Sequence, residues 1–202
     1  MKVLVIILVA LVIYIYISYP TRYNSDTQIL QASISTFDPS LLYEKYPLII
    51  EDRLINPHDV RLNLLKYHYT FQQHNGAKDT PLTLRKALAK YTMIYNQTQE
   101  TQQIDLVHPK HYDEFKDVFR SPHSSAYTII DGTFVPTLSI KLHHGQSLII
   151  PTMWMYKTPT VMWEMYFYDL SHWLIARFDR LRKPVTLVGA LAVNPGLQSL
   201  TV

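Results

Sequence analysis

The sequence predicts a mainly β domain with flanking helices (α+β), carried behind an apolar N-terminal helix. Three observations point there. The 202 residues include 15 Tyr and only 5 Gly, a balance that suits strands and argues against Gly-rich phosphate loops. Ile140 to Tyr156 reads as strand, tight turn, strand and a Pro-interrupted corner with a Trp. Val3 to Ile17 is apolar throughout. The chain is long enough for one domain with a real core. Its formal charge is only +3, with scattered Lys and Arg, so nucleic acid is not an expected partner. No cysteine is present, which excludes disulfides, thiolate zinc sites and a cysteine nucleophile.

The elements follow in order. Residues 1–20 read as an uncleaved transmembrane anchor rather than a signal peptide. The apolar stretch is about the minimum length for a span, and Ser18-Tyr19-Pro20 is a poor cleavage site. The expected partner is the lipid bilayer, through residues 3–19, with Tyr14, Tyr16 and Tyr19 in the interfacial belt. Lys2 favours a single pass with a cytoplasmic N-terminus. Residues 21–37 form a tether and a first strand. Asp38-Pro39 and Asn56-Pro57 each pair an N-cap with Pro at the first helical position, and a strand over Pro47 to Asp52 lies between the two helices. Tyr67, Tyr69 and Phe71 alternate as a strand. Leu84, Ala87, Leu88, Tyr91 and Ile94 recur with helical spacing, which predicts an amphipathic helix with Arg85, Lys86 and Lys90 outward. Asn96 to Gln103 reads as a loop, and Asn96-Gln97-Thr98 is the one glycosylation sequon. Ala126 to Ile130 and Phe134 to Leu142 form a hairpin about Asp131-Gly132. Val161 to Leu170 is an aromatic strand, and Ser171 caps a helix that ends in the basic cluster Arg177, Arg180, Arg182 and Lys183.

Ile140 and Leu142 alternate; Gly145 supplies the turn; Leu148, Ile149 and Ile150 are a continuous apolar run; Pro151 ends the ladder. The spacing from Leu142 to Tyr156 resembles the late barrel segment of the Jumonji-like cupins. There the pattern is close to Leu-x-x-Gly-Asp-x-Leu-x-Ile-Pro-x-x-Trp-Trp-His, and Gly145, Leu148, Ile150, Pro151 and Trp154 match it. Pro47-Leu48-Ile49-Ile50-Glu51-Asp52, between its two helices, is similar to that family's entry segment. Behind the N-terminal transmembrane helix read above, the resemblance implies a cupin-like jelly-roll barrel with helices packed outside, expected over residues 38–183 and followed by a C-terminal tail over 184–202. It also implies Fe(II) held by two His and one carboxylate, with 2-oxoglutarate and O₂. Tyr156 stands where the last His falls, and Gln146 replaces the Asp after the turn Gly. The one His-x-Asp spacing, His111 to Asp113, precedes a helix.

The leading expectation is a membrane-anchored, non-catalytic cupin-like domain with a structural or interaction role, no cofactor and a protein partner of unknown kind. The alternative is an Fe(II)/2-oxoglutarate-dependent hydroxylase with a displaced metal site drawn from His111, Asp113 and one of His143 or His144. A further alternative is a sugar- or small-ligand-binding barrel. Its pocket candidates are Trp154, Tyr156 and Trp163, beside Glu164, a carboxylate set among core residues that needs a partner.

Overall fold

The run Leu148-Ile149-Ile150 is apolar on every residue because its strand is buried on both faces. Leu148 and Ile150 point into a core shared by two sheets, while Ile149 points into a second core under helices. The computed structural model describes residues 2–18, 27–53, 56–73, 84–111, 137–158 and 162–182. Within them the fold is mainly β with flanking helices.

One sheet contains β1 (Leu30–Ala32), β2 (Leu48–Ile50), β3 (Phe71–Gln73), β5 (Tyr91–Tyr95), β8 (Ser147–Pro151) and β10 (Trp163–Tyr168), in the order β1-β2-β8-β5-β10-β3. The other contains β4 (Arg85–Lys86), β6 (Gln102–Val107), β7 (Thr137–Leu142) and β9 (Met155–Lys157), in the order β4-β9-β6-β7. From β3 onward the antiparallel pairs nest: β3 with β10, β4 with β9, β5 with β8, β6 with β7. The chain is thus a long hairpin folded back on itself and shared between two sheets. Ile94, Leu148 and Ile150 of the first meet Ile104, Leu106, Ile140 and Leu142 of the second, with Trp154 fully buried among them. A 3-10 helix (Pro39–Glu44) and α2 (Pro57–Tyr67) cover the outer face of the larger sheet through Leu42, Val60 and Leu64. Both start as the sequence predicts: Asp38 accepts from the Ser40 amide at 2.8 Å and Asn56 from the His58 amide at 3.1 Å.

Several expectations are corrected. The helix over Leu84 to Ile94 is instead β4 and β5, with Tyr91, Met93 and Ile94 buried on alternating faces. Strand β6 falls partly in the stretch read as a loop. Tyr67 ends α2 rather than opening a strand, which begins only at Phe71. The predicted first strand is short, and it pairs in parallel with β2. At the last helix, α3 (Leu170–Arg182), Asp169 rather than Ser171 is the cap: it accepts from the His172 amide at 2.9 Å and the Ser171 hydroxyl at 2.7 Å. The predicted hairpin about Asp131-Gly132 lies outside the described residues. The N-terminal apolar run does form a helix, α1 (Lys2–Ser18). Among the described residues no helix is long and apolar enough to cross a membrane. At 1.5 Å per residue, α1 reaches about 25 Å.

One buried titratable group ties helices to sheet. His68 sits at the C-terminal end of α2, with Nε2 on the Pro39 carbonyl at 3.0 Å and Nδ1 beside the Tyr91 hydroxyl at 3.2 Å. Burial, then the nearby Lys90 charge, push its pKa below the ordinary 6.5, against the Pro39 carbonyl, which favours the proton. The unfolded chain therefore takes this proton at higher pH than the fold does. Stability from the neutral ring is complete above about pH 6.5 and declines as pH falls through the lower folded value. Thermal melts across pH 7 to 4 are expected to show this decline, and His68→Gln is expected to abolish it. Asp169 adds a separate loss at lower pH. Burial alone would raise its carboxyl, but the hydrogen bonds and charge of His172 and the bond from Ser171 hold it well below 3.8.

Candidate functional site

The polar centre of the fold lies between the two sheets. In β10, Trp163, Met165 and Phe167 face the helices, so period-two alternation turns Glu164 and Tyr166 inward. From the other sheet, Arg85 and Tyr156 are register partners on β4 and β9, and Tyr156 belongs to the inter-sheet core. These four side chains meet. Arg85 grips Glu164 with both guanidinium nitrogens; the Nη1 to Oε2 distance is 2.9 Å and the second bond runs from Nη2 to Oε1. Tyr166 donates to Oε2 at 2.5 Å and Tyr156 at 3.4 Å. Thr158 accepts from Arg85 Nη2 at 2.6 Å and stands 3.5 Å from Oε1. The guanidinium also lies 4.8 Å from the centre of the Tyr156 ring, a cation–π contact. Glu164 is 9% exposed and Arg85 29%, so the pair opens to solvent on the arginine side only.

The electrostatics close this centre. Burial pushes the Tyr156 hydroxyl well above its ordinary 10.0; Arg85 works the other way, and Glu164 adds to the rise. Burial and then Glu164 push Tyr166 up as well. Both phenols therefore stay protonated at neutral pH and serve as donors, not as phenolate ligands or bases. The carboxylate they point at is already neutralised by Arg85. Thr92, paired in register with Tyr166, puts a buried hydroxyl on the same inner wall, with no hydrogen-bond partner among the described residues.

Of the pocket candidates, Tyr156 and Glu164 come together. Trp154 is a core residue whose Nε1 donates to the Lys45 carbonyl at 3.1 Å, and its ring meets His108 edge-on at 4.9 Å. Trp163 faces the opposite side of the sheet, against Tyr95 at 6.1 Å, so it cannot line one pocket with Tyr156. The metal candidates do not converge. His143 Nδ1 bonds the Thr101 hydroxyl at 2.9 Å and His144 Nδ1 bonds the Thr98 carbonyl at 2.8 Å, both at the Gly145 turn. His111 follows the far end of β6, about 17 Å away along the strand. Asp113 lies outside the described residues. No group of three His, Cys, Asp or Glu side chains suited to a metal occurs among the described residues.

Asn96 is fully buried. Its Nδ2 donates to the Glu100 and Leu142 carbonyls at 2.9 Å each, and its Oδ1 accepts from the Thr98 amide and hydroxyl. Both amide hydrogens are used in shaping the β5–β6 loop, so the fold presents no free nitrogen there for a glycan.

Arg85 and Tyr166 are the members that sequence reasoning missed. Arg85 was hidden by the helical spacing around it. The strand-like composition of Tyr91-Thr92-Met93-Ile94-Tyr95 was the signal against that helix. Tyr166 was legible as the residue two positions from Glu164, hence on its face. No protein-family model matches the chain, and no curated protein matches its sequence.

Proposed function

We propose that this chain is a non-catalytic, cupin-like jelly-roll domain with a structural or interaction role, seated on a membrane by α1. The observation that carries the non-catalytic reading is the Arg85–Glu164 pair, closed over by Tyr156, Thr158 and Tyr166. A metal bound beside Tyr156 would draw ligands from the strand paired with it, and that strand presents a guanidinium at the register position. A fixed cation repels a divalent one, and the nearest carboxylate is already satisfied. The donor set of two protonated phenols, a threonine and an engaged glutamate does not fit Fe(II). The nested pairing of β3 to β10 supports the jelly-roll reading, because a long hairpin rolled into two facing sheets has that pairing order.

The membrane reading rests on the apolar surface of α1. Val5, Ile6, Ile7, Leu8, Leu11, Ile13 and Tyr14 are exposed on all sides of the helix, a surface suited to lipid rather than water. A helix of about 25 Å falls short of a core of about 30 Å, so a span by α1 would require local thinning of the bilayer.

Elemental analysis of the full-length protein purified in detergent, with an assay of 2-oxoglutarate turnover, tests the non-catalytic reading. The expected result is substoichiometric iron and manganese and no turnover. Stoichiometric metal with turnover would establish the oxygenase instead.

A further inference from the structure

We draw no further inference here: the strongest candidate, the Thr92 hydroxyl beside Tyr166 on the inner wall of the larger sheet, without a hydrogen-bond partner among the described residues, belongs to the Arg85–Glu164 centre already described and, at 0% exposure, has no room against it for a ligand.

Discussion

Replacing Arg85 with alanine is expected to cost about 3 kcal/mol of stability, the lower end for removing one partner of a buried ion pair. The lower end applies because Arg85 retains some solvent contact, at 29% exposure. The cost falls on Glu164, which keeps only hydroxyl donors from Tyr156, Thr158 and Tyr166 once the guanidinium is gone. Glu164→Ala is expected to be costly for the converse reason, since a half-buried cation and two phenols lose their acceptor. The two changes share one interaction. The double variant is therefore expected to cost about 2 kcal/mol less than the sum of the singles. Urea melts of the four proteins give the cycle, with the slope of the transition checking that the unfolded state is unchanged. Additive costs would mean that Arg85 and Glu164 act separately, and the centre would then be an open polar site rather than a closed pair.

Gly145→Ala is expected to cost at least about 3 kcal/mol, lowering the melting temperature by roughly 6–12 °C for a chain of this size. Gly145 turns the hairpin between β7 and β8 at φ +79°. A side chain in that region costs about 1–2 kcal/mol on its own. The larger part is steric. A Cβ at Gly145 would sit 2.0 Å from the Arg53 carbonyl oxygen and 2.8 Å from its carbon, both backbone atoms. Making room means moving the chain that leaves β2, which pairs with β8, so the strain enters the larger sheet. The same turn holds the Gly145 amide on the Asn96 carbonyl at 2.9 Å and the Gln146 amide on the His143 carbonyl at 3.1 Å. Gly145→Asn separates the two effects. Asparagine tolerates the left-handed backbone but still carries a Cβ, so it is expected to recover only the smaller part. Calorimetry of the two variants reads the difference. A fully tolerated Asn would show that dihedral preference, not the Arg53 contact, selects glycine.

The class of the fold was legible because its strongest signals are local. Leu148-Ile149-Ile150 announced a strand buried on both sides, Gly145 a turn, and Asp38-Pro39 and Asn56-Pro57 two helix starts; each depends on a residue and its immediate neighbours. The same locality explains the errors. Leu84, Ala87, Leu88, Tyr91 and Ile94 fit a helical period by their spacing alone. Pairing of Tyr91–Tyr95 with both β8 and β10 satisfies its backbone in a sheet instead. Once that segment became strands, Arg85 passed from an outward helical position to the inner wall opposite Glu164.

The sequence by itself determined a mainly β chain with an apolar N-terminal helix, and it placed Tyr156 and Glu164 among candidate site residues. Tertiary structure alone decided what those residues do. Glu164 and Arg85 are 79 positions apart and in different sheets, and Tyr156 joins from the strand paired with that of Arg85. A carboxylate looks the same in sequence whether it faces a metal, a ligand or a guanidinium. Here the winding of β4 and β9 beside β10 sets a guanidinium and the Tyr156 phenol on it, Tyr166 adds a second phenol from β10 itself, and charge neutralisation closes the centre.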